Sequence, residues 1–178
     1  MLEEWKERGK TIRLTIHGNS MMPLIGSGDG ILLKLTTLEN IAVGDVVAFI
    51  QNNDCIVHRA VKKKRHDGTW QFCQKGDNLS GWGWHDAQDL LGKVMCIEKP
   101  GKSIPMDGLR PSLTNRTIGI TVWFVVTLRE RLQPFTFLVK SARVKNNVVH
   151  SLKILTGIID RVIRLFAEKT MNRNNSSK

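Results

Sequence analysis

The chain is expected to be mainly β, a compact β-meander or small barrel followed by a basic α-helical C-terminal extension. Three observations carry that expectation. Between Thr11 and Glu98, apolar residues alternate with polar ones or form short runs bounded by turn residues, and no helix-period segment of useful length interrupts them. Beyond Pro100-Gly101 the apolar spacing changes to threes and fours, the period of a helix face. The net charge of +11 follows the same division. Residues 1–98 carry 12 Lys/Arg and 12 Asp/Glu, which cancel, whereas residues 99–178 carry 15 Lys/Arg against 4 Asp/Glu, which is the whole excess.

The elements follow in order. Residues 1–10 read as a short helix or frayed arm. Ile12, Leu14 and Ile16 alternate with polar residues, as a half-buried strand does. Ile31–Leu35 is a second strand, entered through Gly28-Asp29-Gly30. Asp45–Gln51 is a third, turned by Asn52-Asn53-Asp54 into Cys55–Val61 as a hairpin. His66-Asp67-Gly68 turns the chain again into Thr69–Gln74, and Leu90–Glu98 is the last strand. Residues 1–98 thus form one β domain and 99–117, with Pro100, Pro105 and Pro111, a linker. Residues 118–170 form the helical extension, and 171–178 a disordered tail. Within the extension, Ile118–Phe137 is expected to be helical with a break near Pro134. Val148, Leu152, Leu155, Ile159, Val162, Ile163 and Phe166 mark an amphipathic helix with a mainly basic polar side.

Composition excludes several classes. With 41% hydrophobic and 24% charged residues, the chain is globular rather than disordered. Cys55, Cys73 and Cys96 are odd in number and widely spaced, which argues against a disulfide framework and for buried free thiols in a reducing compartment. Cys55 and His58 have a metal-like spacing but no second close pair, so neither metal nor cofactor is expected. Residues 1–13 are polar and charged, unlike a secretory signal. The longest apolar run, Ile118 to Leu128, is 11 residues, short of the ~20 that a spanning helix needs. The expected location is the cytoplasmic side, with the basic extension resting on an anionic membrane surface or packing on the barrel. A uniformly basic nucleic-acid-binding domain is not expected, because the excess charge is confined to one part. The oligomeric state is left open.

Four short segments can carry chemistry. His17-Gly18-Asn19-Ser20-Met21-Met22-Pro23 presents a serine at a strand end, where it is either a capping turn residue or, given a neighbouring base, a nucleophile. Gly44-Asp45-Val46-Val47 feeds a strand. Ile56-Val57-His58-Arg59 puts a histidine in a strand, structural unless it serves as a base. Lys75-Gly76-Asp77-Asn78 reads as a turn whose acid could hold an imidazole in one tautomer. Lys62 and Lys75 are the competing bases, but a lysine base must be desolvated to be neutral at pH 7. Trp82 and Trp84, in a Gly-rich stretch, would pack over the barrel end, touch a membrane interface or form a lip of a groove.

In this order, with Leu91-Gly92-Lys93-Val94 after them, the segments resemble the type I signal peptidase superfamily, the S24/S26-type serine peptidases. The resemblance covers about residues 12–98, and the His-Arg pair is similar to the histidine-base branch and its small bacterial relatives. It implies a small coiled β-barrel and a serine endopeptidase that cleaves a precursor protein. Ser20 would be the nucleophile, His58 the general base and Asp77 the orienting acid, with Asp86 competing for that last role. It further implies that Asn19, Met21, Met22 and Pro23 contact the peptide substrate. An oxyanion hole would begin at the Ser20 backbone N–H; some relatives add a hydroxyl two residues earlier, where this chain has Gly18. The alternatives of the same fold are an inactive peptide-binding module and a repressor-like self-cleaving regulator.

Overall fold

The computed structural model describes residues 2–138 and, beyond them, Gly157, Arg161 and Leu165. The amphipathic stretch 148–166 therefore lies almost entirely outside the described residues, as does the tail 171–178.

A short helix α1 (Leu2–Glu7) leads into β1 (Thr11–Thr15), β2 (Gly30–Leu35), β3 (Val46–Gln51), β4 (Asp54–His66) and β5 (Thr69–Lys75). Then come β6 (Trp82–Asp86), β7 (Leu90–Lys99), β8 (Lys102–Pro105) and the long helix α2 (Leu109–Leu138). The strands form one antiparallel sheet in the order β1-β2-β7-β3-β4-β5-β6, with β8 joined to β7. Turn chemistry explains the two hairpins that fix the centre. Asn52 and Asn53 take φ values of 51° and 67°, and Asp67 and Gly68 take 47° and 80°, the left-handed pairs that match strand twist in a two-residue loop.

β3 is the middle of the fold, and its sequence shows why. Val46 and Ala48 face one core with Ile31, Leu33, Val94 and Ile97, while Val47 and Phe49 face a second with Leu38, Ala60, Phe72 and Leu90. A strand buried on both faces reads as a continuous apolar run. A third cluster joins helix to sheet: Ile118, Val122 and Val126, at helical spacing on α2, pack on Val61 of β4 and Cys73 of β5. Trp82 and Trp84 pack at its margin, and the Lys64 ammonium lies 4.1 Å from the Trp84 ring centre.

The fold is mainly β with a helical extension, as expected, but the sheet does not close into a barrel. β1 and β6 lie at opposite ends of the strand order and do not pair with one another. Alternation along a strand says which face is buried, not whether the first and last strands meet. The stretch expected as a linker is not an open connection: β8 extends the sheet through Cys96↔Pro105 to Lys99↔Lys102, and α2 starts at Leu109. α2 also runs through Pro134 without the expected break. β4 is longer than expected because Lys62–His66 pair with β5, their charged ends lying outside the core. Trp82-Gly83-Trp84 lies in strand β6, held by pairing to β5. Cys73 is buried and its thiol is pushed up to about 12, chiefly by burial, so it is inert. Cys55 is exposed rather than buried. Among the described residues, no helix is long and apolar enough to cross a membrane, and no group of three or more His, Cys, Asp or Glu could hold a metal ion.

α2 crosses the β2–β3 connection at a close backbone approach. Gly119 lies on Gly44, whose φ of 101° is in the left-handed region. A Cβ on Gly119 would collide with the Gly44 backbone, which cannot swing away as a flexible side chain could. Gly119→Ala is expected to cost about 1–3 kcal/mol by overpacking, read as a lowered denaturant midpoint with unchanged slope. Gly81→Ala, where a Cβ meets nothing within 4 Å, is the matched control and should leave the midpoint in place.

Candidate functional site

A groove of about 710 Å³ opens between the β1–β2 connection and the first half of β4. Its walls are largely apolar, from Leu14, Ile16, Met21, Ile25, Ile56, Val57 and Leu79. Ser20 and His58 both line it. They converge on Gly76: a methyl group there would stand 2.8 Å from the Ser20 carbonyl oxygen and 3.0 Å from His58 Nε2. Only glycine at position 76 lets the two segments approach so closely. The groove also exposes main chain. Over Asp54–His58, β4 pairs with β3 on one edge, and its pairing with β5 begins only at Arg59.

The loop after β5 holds the serine segment in place. Asn78 N–H donates to the Ser20 carbonyl at 2.8 Å, and the Asn78 side-chain amide donates to the Asn19 carbonyl at 3.2 Å. Asp77 N–H points at the Met21 sulfur, 3.4 Å away. Ser20 itself is half-buried.

His58 is 7% exposed and rests against the Phe49 ring, 6.0 Å between centres. Burial pushes its pKa below the ordinary 6.5; the Gln74 hydrogen bond and the nearby Asp77 charge oppose the shift, and His85 and Lys75 add to it. The imidazole is therefore neutral at pH 7. Its Nδ1 sits 2.5 Å from Gln74 Oε1. An amide oxygen only accepts, so with Gln74 turned this way Nδ1 carries the proton and Nε2, on the Gly76 side, presents its lone pair.

Neither expected acid touches this imidazole. Asp77 accepts Arg59 Nε at 2.9 Å and Arg59 Nη2 at 2.6 Å, one oxygen each, in a pair that is 0% exposed on the arginine and 2% on the aspartate. Successive side chains of a strand point to opposite faces, so Arg59 leaves His58's face and takes Asp77 with it. Asp86 Oδ1 accepts the Gln71 amide at 2.8 Å across β5 and β6. Of the residues expected to meet substrate, Asn19 and Met21 line the groove. Met22 and Pro23 do not; the Met22 sulfur turns away onto Gly26. The competing lysines are otherwise engaged. Lys62 pairs with Glu130 of α2 at 2.7 Å, and Lys75 is buried with Nζ donating to the Gly76 carbonyl at 3.3 Å. His17 is exposed at the groove mouth.

Sequence reasoning missed Gln74, Arg59 and Asn115. Arg59 Nη1 donates to the Gly44 carbonyl at 2.7 Å and to Asn115 Oδ1 at 3.1 Å, so the buried guanidinium also docks α2. A charged residue beside the histidine in a hydrophobic strand was the available signal, because such a charge must find a buried acid.

The antiparallel β fold thus places a serine and a neutral histidine in one groove. Residues 1–70 match the family model described as Peptidase S24-like, which relates this part of the chain to the S24/S26-type peptidase superfamily, a group with both peptidases and self-cleaving repressors. No curated protein gives a significant match.

Removing the Asp77 carboxylate leaves the Arg59 charge buried and unpaired. Asp77→Ala is expected to destabilise by about 3–5 kcal/mol, measured by urea unfolding. Asp86→Asn keeps an acceptor for Gln71 and should stay within about 0.5 kcal/mol of the parent. Equal losses at the two positions would remove the structural assignment of Asp77.

Proposed function

We propose that the protein is a serine endopeptidase of the signal-peptidase-like class, cleaving a peptide bond in a precursor protein with Ser20 as nucleophile and His58 as general base. The observation that carries the proposal is the convergence of Ser20 and His58 on Gly76 within one groove. Three features support it. His58 is neutral at pH 7 with Nε2 unprotonated, the state a base requires. The open edge of β4 offers main-chain donors and acceptors to an extended peptide. The apolar walls suit small hydrophobic side chains on that peptide.

The chemistry is ordinary acyl transfer. Ser20 Oγ attacks the scissile carbonyl as its proton passes to His58 Nε2, and the imidazolium returns that proton to the leaving amine. Water then repeats the sequence on the acyl-enzyme. No metal or cofactor takes part in this scheme. The basic C-terminal part, which holds the entire net charge, is proposed to rest on an anionic lipid surface and bring the groove to membrane-proximal substrates.

Incubation of the purified chain with a complex peptide mixture, read by mass spectrometry of new termini, should give discrete products that Ser20→Ala and His58→Ala lose while keeping the parent circular dichroism spectrum. Intact mass of the same samples reads self-cleavage. Products that persist in Ser20→Ala defeat the reading. The pH profile has a definite sign: protonated His58 is inactive, its folded pKa is lowered, and so kcat/KM should rise through an apparent pKa below 6.5 and be level by pH 7. For the lipid contact, the full chain should float with anionic vesicles and not with neutral ones, and added salt should release it. Equal flotation on both would remove the electrostatic role.

A further inference from the structure

The residue in the acid's place is an amide, and a free amide is a poor guardian of a tautomer. Gln74 can offer oxygen or NH₂ to His58 Nδ1, and only the oxygen leaves Nε2 as a base. In the best-studied triad, exchanging the acid for an amide holds the wrong tautomer and costs about 10⁴ in rate. Something must therefore fix which way Gln74 points.

The strand register supplies it. Gln74 lies opposite Ala60 on β4 and opposite Gly83 on β6, while Phe72, two residues earlier on the same face, lies opposite His85. Gly83 has no side chain, and a Cβ there would stand 3.1 Å from Gln74 Nε2, so the glycine leaves room for the amide. Through that gap Gln74 Nε2 reaches His85 Nε2 at 3.4 Å. The His85 ring packs on Phe49 and Phe72, with ring centres 4.5 and 5.7 Å apart. Its other nitrogen, Nδ1, faces Asp89 at 4.0 Å, longer than a hydrogen bond but close enough for the carboxylate to favour a proton there. Burial lowers the His85 pKa against the opposing Asp89 and Asp86 charges, so this ring too is neutral at pH 7.

From these contacts we infer that Gln74, His85 and Asp89 form a polarised relay that replaces the acid of the triad and locks His58 in the tautomer a general base needs. The inference rests on the role proposed for His58. The Asp89 carboxylate, 4.0 Å away, favours the His85 proton on Nδ1 through its charge. His85 Nε2 then accepts and takes the Gln74 NH₂. The amide oxygen is left for His58 Nδ1–H. Each step removes one of two choices, and the direction is set at the carboxylate end. Gln74 and His85 are positioning residues: they touch the base and the amide, not the substrate.

The test reads the tautomer without any substrate, so its outcome is independent of whether cleavage is ever found. Long-range ¹H–¹⁵N correlation on the histidine-labelled full chain, between pH 7 and 8, should show His58 as the Nδ1–H form. Gln74→Leu should shift it toward the Nε2–H form that free histidine favours. Gln74→Glu, an acceptor on both oxygens, should restore Nδ1–H and raise the His58 pKa. His85→Phe keeps an aromatic ring on Phe49 and Phe72 but releases the amide, so His58 should again lose its preference. If Gln74→Leu does not fold, His85→Phe carries the test alone. An Nε2–H form in the parent, or an unchanged Nδ1–H form in the variants that fold, overturns the relay. Where cleavage is measurable, Gln74→Leu should lower kcat by about 10²–10⁴-fold with little change in KM, because a wrong tautomer is the loss that costs about 10⁴ in the triad. Gln74→Glu should recover most of it, with the acid limb moved to higher pH. A fall in KM-dependent binding alone, with kcat retained, would also overturn the assignment.

Discussion

One buried ion pair organises the molecule. Arg59 has no exposed side-chain surface and meets Asp77 through two oxygens. Its remaining donors reach the Gly44 carbonyl before β3 and Asn115 on α2. Four segments distant in sequence, β4 itself among them, thereby meet at one guanidinium. A pair of this kind adds little net stability over apolar side chains of the same size, because both charges lose their water. What it supplies is geometry, since each of the four segments has one place where the donors of Arg59 are satisfied.

The groove inherits that geometry from both ends. His58 precedes Arg59, so the strand position that buries the guanidinium also turns the imidazole to the opposite face. Asp77 lies between Gly76 and Asn78, and those two neighbours touch the Ser20 segment. The ion pair therefore sets the approach of serine to histidine without contacting either side chain. The same bond explains why Asp77 is not the orienting acid. A carboxylate held in a two-oxygen pair with a fully buried arginine is fixed on that arginine's face of the strand, away from the imidazole.

Much of this was legible in the chain. Asn52-Asn53 and Asp67-Gly68 announce their hairpins because few residues adopt left-handed φ pairs, and β3 announces itself because burial on both faces demands an unbroken apolar run. That Ser20 and His58 come to line one groove was legible through the order of short motifs around them. Other features depend on pairing that leaves little local trace. β6 is a strand because β5 lies beside it, and two glycines conceal that. Sheet closure depends on the two end strands, whose own sequences carry no mark of the partner. The role of Asp77 was misjudged because order along the chain places it after the base as a triad acid would be, whereas strand alternation and the charge beside the base assign it elsewhere. Gln74 carried no signal of its own; only the register across β4, β5 and β6 gives an ordinary strand glutamine a position next to the imidazole.

An amide next to the base has consequences for rate. A carboxylate at Nδ1 would stabilise the imidazolium directly and strengthen the base. An amide oxygen offers a partial charge, and the nearest full negative charge, on Asp77, is already offset by Arg59. Burial then prevails and His58 is a weaker base than an exposed imidazole. Under the proposed chemistry it is neutral at pH 7 yet pulls less strongly on the serine proton, since a lowered pKa gives up driving force for availability. Gly18 acts in the same direction, since no hydroxyl stands at the position where some relatives place an oxyanion donor, and one such donor is worth about 10²–10³ in rate. Both departures lower the chemical step while leaving the groove, its open β4 edge and its apolar walls intact. Under the proposed chemistry the arrangement favours selection by binding over speed.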